Sequence, residues 1–222
     1  MTKFLLLFDL DGTLVDSVPD LCEVLNLVLR EHGYGPLSRD AVRPMVGDGV
    51  VPLVLRGFAA CGGSEAEARA ALPHYIALYE ANATRYSRLY PGVRETLRAL
   101  RAQGYRTAVC TNKLQAATRS VLRGFEIDDL FDGIAGGDRY PVRKPDPGHL
   151  TLLIEELGGE AGRAALIGDS EIDAATARAA SIPALLMSYG YARVPLEELG
   201  ARRILDAFDQ LPAALVNLGF AP

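Results

Sequence analysis

Lysine, cysteine and histidine are all scarce in this 222-residue chain, and each scarcity removes a class of function. Three cysteines, Cys22, Cys61 and Cys110, are widely spaced and odd in number. That excludes a disulfide framework, suits a reducing compartment, and reads most simply as small buried hydrophobes. Three histidines, His32, His74 and His149, show no i, i+4 or cysteine-paired spacing, so any metal is expected on oxygen ligands and not on imidazole. The net charge of -5 gives no basic footprint for nucleic acid. No apolar run approaches the length of a membrane span, and Met1-Thr2-Lys3 leads straight into a strand-like run without the layout of a signal peptide. A cytoplasmic protein with no membrane partner is expected. Only Lys3, Lys113 and Lys144 are lysine, against 20 arginines among the 23 basic residues. A lysine inside a motif of such a chain asks whether the site wants a compact point charge.

What is present is an ordinary globular balance, 49% hydrophobic and 23% charged, enough for one large domain or a domain carrying an insert. From Arg106 onward short apolar runs alternate with helical spacing. Strands are expected at 107–110, 133–136, 164–167 and 183–187, and helices at 114–125, 149–157, 172–180 and 208–218. Strands that are apolar throughout imply a parallel sheet covered on both faces. Phe4 to Phe8 has the same character, which disfavours the alternative of an Asp11-Gly12 hairpin turn. Residues 17–86 break the alternation. Val18, Leu21, Leu25, Val28 and Leu29 share a helical face, 50–58 is a second helical run, and Ser64 with Glu67 forms a capping box ahead of 66–86, where Pro73 is expected to kink or interrupt the helix. The expected organisation is a core at 1–16 and 87–222 with an all-α insert at 17–86, placed where it can close over the first strand's exit.

Ligands of parallel α/β sheets bind beyond the carboxyl ends of the strands. The first strand exits into Asp9-Leu10-Asp11-Gly12-Thr13, the second into Thr111-Asn112-Lys113, and another into Gly168-Asp169-Ser170 with Asp173 following; the loop after 133–136 delivers Lys144-Pro145-Asp146-Pro147. Carboxylates gathered at one edge call for a divalent cation, and all-oxygen ligation suits Mg²⁺. Thr111 and Lys144 then suit a phosphate, and Gly12 leaves room for backbone N–H groups to approach it. Lys113 reads as a solvated lysine, and Asp146 as a helix cap or an orienting partner.

In this order FDLDGT, TNK, KPDP and GDSEID resemble the four motifs of the haloacid dehalogenase-like phosphohydrolase superfamily, over nearly the whole chain. The resemblance implies a Rossmannoid, doubly wound parallel sheet with an inserted helical cap of the C1 type. It implies Asp9 as a nucleophile that becomes an aspartyl-phosphate, Asp11 as the proton carrier, and Mg²⁺ held by Asp9, the Asp11 backbone and Asp169. Thr111 and Asn112 would hold phosphoryl oxygens, Lys144 would neutralise charge between nucleophile and phosphate, and Asp173 would ligate or support the metal. Dehalogenases lack the second aspartate, so Asp11 points to phosphoryl transfer. MVGDGV, SRLYPGV, GGD and SYGY further resemble bacterial phosphoglycolate phosphatases. The expected substrate is therefore 2-phosphoglycolate, with pyrophosphate, a sugar phosphate or a phosphomutase reaction as the alternatives and a phospho-accepting signalling domain as the rival of another class. Arg43 is the candidate cation for the substrate's carboxylate, and a monomer or homodimer is expected.

Overall fold

The computed structural model describes residues 3–222; Met1 and Thr2, with which the expected core segment begins, lie outside them. The chain opens on β1 (Leu5–Phe8), in which every residue is buried. A short strand β2 (Val15–Asp16) leads into the helices α1 (Val18–Glu31), α2 (Arg39–Val42), α3 (Val50–Ala60) and α4 (Glu65–Asn82). The return strand β3 (Arg88–Leu89) pairs antiparallel with β2, so the chain leaves and re-enters the sheet region at one place. Asp20 on α1 fastens that junction: its two carboxylate oxygens accept from the Tyr86 and Ser87 N–H groups at 2.8 Å each. Then follow α5 (Val93–Ala102), β4 (Arg106–Cys110), α6 (Gln115–Gly124), β5 (Gly133–Ala135), α7 (Gly148–Glu156), β6 (Ala164–Gly168), α8 (Glu171–Ala179), β7 (Ala184–Met187), β8 (Arg203–Leu205) and α9 (Leu211–Asn217).

Six strands form one parallel sheet in the order β5-β4-β1-β6-β7-β8. The unbroken apolar character of β1 follows from its central place. Leu6 and Phe8 belong to the larger cluster with Phe131 and Phe208, while Leu5 and Leu7 pack on the opposite face with Leu150, Leu153 and Ile154 of α7. No Asp11-Gly12 hairpin forms, because the neighbours of β1 are β4 and β6. The register sets Phe8 beside both Val109 and Ile167, which brings the residues that follow β1, β4 and β6 to one edge.

Three sequence expectations need correction. The helix from Glu65 runs through Pro73 to Asn82 without interruption, held by the buried faces of Ala71, Tyr75 and Tyr79; its capping box is present as expected. The last helix is split, a 3₁₀ turn at Phe208–Gln210 preceding α9, because Pro212 belongs in a first helical turn, where its missing N–H costs nothing. Cys22 and Cys110 are buried, but Cys61 is only half-buried; all three are unpaired.

His149, fully buried on α7, carries a stability prediction. Its Nε2 lies 3.2 Å from the Gly136 carbonyl, Nδ1 has no partner, and burial together with the Lys144 charge pushes its pKa down to about 4 from 6.5. The unfolded chain therefore takes up a proton that the folded chain refuses, and stability is lost as pH falls from 6.5 toward 4. His149→Asn is expected to flatten that loss by about 2 kcal/mol at pH 5, measured as the difference between the two proteins' urea unfolding at pH 7 and pH 5. Equal pH dependence of both proteins would refute it.

Candidate active site

Asp9 follows β1 directly and its position is fixed by its own backbone, whose N–H donates to the Ile167 carbonyl at 2.9 Å. Its carboxylate is buried beside Lys144, whose Nζ lies 3.0 Å from Asp9 Oδ1 and 2.7 Å from Asp173 Oδ1. The contact with Asp9 is an ion pair whose angle does not make a hydrogen bond, and Asp9 Oδ1 is left buried without a hydrogen-bond partner. Burial pushes the Asp9 carboxyl up to about 6; the Lys144 charge pulls it down, and the Asp173 and Asp11 carboxylates add to the rise. Burial alone would depress the Lys144 ammonium, but Asp173 and Asp9 hold it above its ordinary range.

Asp169, after β6, accepts from the Thr13 hydroxyl at 2.8 Å through Oδ1 and from the Tyr191 N–H at 2.7 Å through Oδ2. Burial, reinforced by Asp173 and Asp9, raises its pKa well above the usual carboxylate range. Oxygens of Asp9, Asp169 and Asp173 lie within 4.8 Å of one another. Asp173 is the most committed of the three. Its Oδ1 meets Lys144, and its Oδ2 accepts from the Ser170 hydroxyl and from the Ser170 and Asp169 N–H groups, capping α8 while orienting the loop that carries Asp169. Counting Asp11 and Lys113, four carboxylates face two ammonium groups. The excess of two negative charges and the Asp9 oxygen left without a hydrogen bond fit an oxygen-ligated divalent cation.

The close approach explains two glycines. A Cβ on Gly12, whose φ is +90°, would stand 2.3 Å from Asp169 Oδ2. At Gly190 it would stand 2.1 Å from Asp169 Cβ, which gives the SYGY stretch a physical role that spacing alone does not reveal. The Gly12 N–H is turned to the Val15 carbonyl, so it serves the local turn and not a phosphate.

Thr111 and Asn112 follow β4 and are buried, and the Asn112 amide donates at 3.0 Å to the carbonyls of Gly47 and of Lys144, tying the α-helical segment to the Lys144 loop. Asp146 stands one residue before the Pro147 N-cap of α7, and its Oδ1 accepts from the Gly148 N–H at 2.7 Å. Two expectations are corrected. Lys113 is not solvated; its side chain is 5% exposed, with Nζ 2.9 Å from both Asp11 oxygens and 4.5 Å from the centre of the Tyr79 ring. Arg43 is exposed and does not line the cavity beside Asp9: its guanidinium donates at 2.7 Å to the carbonyls of Tyr189 and Gly190 and lies over the Tyr191 ring. The turn at Arg43–Met45 aims it at the loop after β7. A cation whose donors meet two carbonyls there fastens the two segments together.

A second fastening was not legible in the sequence. Arg193 bridges Asp48, at 2.6 Å, to Glu171 at the start of α8, at 2.5 Å, and Asp48 also pairs with Arg56 of α3. Between the helices and the sheet edge lies a small cavity of about 50 Å³, lined by Asp9, Asp11, Thr111 and Asn112 on one side and by apolar residues of α1, α3 and α4 on the other.

The model of the haloacid dehalogenase-like hydrolase family matches residues 6–187. The chain is 43% identical over 211 residues to a phosphoglycolate phosphatase of Rhodospirillum rubrum, covering 92% of this chain and 88% of that one. Against the phosphoglycolate phosphatase of Caulobacter vibrioides it is 40% identical over 213 residues, 95% of this chain and 90% of the relative. Among solved structures, that of a "predicted phosphoglycolate phosphatase" from Haemophilus somnus superposes with a TM-score of 0.90 at 33% identity, covering 96% of this chain and 98% of that one. CbbY of Rhodobacter sphaeroides, solved in complex with phosphate, gives 0.79 at 25% identity over 97% of this chain and 100% of the other.

Proposed function

The chain belongs to the haloacid dehalogenase-like hydrolases and is a phosphoric monoester hydrolase, and we propose that it is a Mg²⁺-dependent phosphatase of 2-phosphoglycolate working through an aspartyl-phosphate on Asp9. The observation that carries the mechanism is the buried Asp9 carboxylate at the end of β1, held against Lys144 and open to a small cavity. Asp9 attacks phosphorus, and the bond to the glycolate oxygen breaks. Asp11 gives a proton to that oxygen and later takes one from the water that hydrolyses the aspartyl-phosphate, a contribution typically worth about 10² to 10⁴-fold. Asp9, the Asp11 backbone and Asp169 would hold Mg²⁺, with Asp173 orienting the Asp169 loop and Lys144. The bound ion would supply positive charge for the phosphoryl oxygens. Thr111 and the Asn112 N–H bind those oxygens, and Lys144 screens the repulsion between the nucleophile and the phosphate. Residues 17–86 act as a cap over the core formed by 1–16 and 87–222.

The choice of substrate is supported by the two phosphoglycolate phosphatase relatives, similar over nearly the full chain. A phosphate-release panel tests it: 2-phosphoglycolate is expected to give the highest kcat/KM, ahead of pyrophosphate and hexose phosphates, and a higher value for either of the others would overturn the reading. EDTA is expected to stop turnover and Mg²⁺ to restore it; hydrolysis that persists in EDTA would refute the metal dependence.

A further inference from the structure

The cavity poses a problem for an acidic substrate. Leu21, Val50, Leu53 and Tyr75 are among the residues that wall it, and burying an unpaired carboxylate against such a surface is costly. Lys144 does not line it and already faces Asp9 and Asp173. Among the described residues that do line it, Lys113 is the one cation.

We propose that Lys113 is the specificity residue that receives the carboxylate of the substrate's non-transferred end, an inference that rests on the phosphoglycolate reading above. Lys113 Nζ sits at the junction of the apolar cavity and the reacting edge, 2.9 Å from each Asp11 oxygen. An ammonium has three N–H donors, so two contacts to Asp11 leave one for a second anion. The Tyr79 ring lies 4.5 Å from it, and that negative face supports the charge where water is excluded. Tyr79 is buried and its hydroxyl has no hydrogen-bond partner, so this wall of the cavity is built around the ammonium and still offers a donor. One cation thus holds the proton-carrying carboxylate and reads the distal group of the substrate. The pairing with Asp11 also keeps Lys113 in place between turnovers. A planar guanidinium has a different reach and would not fit the same space between ring and carboxylate.

The test compares kcat/KM for 2-phosphoglycolate with that for ethyl phosphate, in which a methyl group replaces the carboxylate. Lys113→Met is expected to lower both values, because Asp11 loses its partner, but to lower their ratio by roughly 10- to 100-fold, the worth of one charge-assisted hydrogen bond. If both substrates fall by the same factor, the proposal is overturned while the phosphoglycolate reading stands. If the wild-type protein shows no preference for the carboxylated substrate, the phosphoglycolate reading itself fails. A measurement on unaltered protein covers the case of a variant that does not fold: glycolate is expected to compete with ethyl phosphate, ethanol is not, and glycolate that fails to compete would overturn the proposal. Lys113→Gln is expected to weaken that competition by a similar factor.

Discussion

Asp9→Asn is expected to lower phosphate release by roughly four or more orders of magnitude, as loss of a nucleophile does when the remaining machinery is intact. The substitution keeps the shape of the side chain, and the backbone N–H that fixes its position, donated to the Ile167 carbonyl at 2.9 Å, is untouched. An amide oxygen with no formal charge does not form the acyl-phosphate bond. The fold should survive. Burial pushes the Asp9 carboxyl up to about 6, so at neutral pH the folded protein holds an ionised group that the unfolded chain ionises more easily, and that group opposes folding. Replacing it by a neutral isostere removes that opposition, which is already net of the attraction to Lys144. Melting temperature in EDTA is therefore expected to be equal to or above that of the parent, while phosphate release from 2-phosphoglycolate falls to background. Turnover near the wild-type rate would eliminate Asp9 as the nucleophile, and loss of activity together with a large fall in melting temperature would mean that Asp9 is needed for the fold instead.

How much of this was readable in the sequence depended on the range of the interaction. The strand runs at 107–110, 164–167 and 183–187 announce themselves because burial on both faces forces continuous apolar character, and the structure has strands at all three. Arg203–Leu205 was not legible, since an edge strand of three residues needs no such run. Asp9, Thr111, Lys144 and Asp169 could be singled out because each follows a strand or a sharply punctuated loop; the parallel register carries Asp9, Thr111 and Asp169 to one edge, and the loop after β5 brings Lys144 to Asp9. The environment of Lys113 could not, because it depends on Tyr79, which approaches from a helix far away in sequence. Scarcity of lysine was the available signal, and it marked Lys113 and Lys144 alike. Arg43 went the other way: a cation placed just before MVGDGV looked like a substrate ligand, but the turn that contains it directs its donors to carbonyls of the SYGY stretch. The Asp48–Arg193–Glu171 bridge joins Asp48 to residues more than a hundred positions away and leaves no local pattern at all.

Lys144→Met is expected to cost about 3 to 5 kcal/mol of stability, the usual penalty for removing one partner of a buried ion pair, and to lower activity by roughly 10² to 10³-fold. The side chain is 1% exposed and its Nζ lies between Asp173 Oδ1 at 2.7 Å and Asp9 Oδ1 at 3.0 Å. Without it, Asp173 remains wholly buried with only its Oδ2 satisfied, by Ser170 and the Asp169 N–H. Asp173 and Asp9 hold the ammonium above its ordinary range, so its stabilisation is fully present at neutral pH and is lost only in strong alkali. The stability and activity losses have different origins, and a second substitution separates them. Asp173→Asn in the Lys144→Met background removes the uncompensated charge while keeping an oxygen able to cap α8, so it should return much of the lost stability, measured by urea unfolding in EDTA. It does not return a cation to the space between Asp9 and a phosphoryl group, so activity should stay low. If the double variant recovers neither stability nor activity, the Lys144–Asp173 pair is not the source of the penalty. Recovery of both would show that the lysine is needed only to neutralise Asp173 and that phosphate binding rests on Thr111 and Asn112 without it.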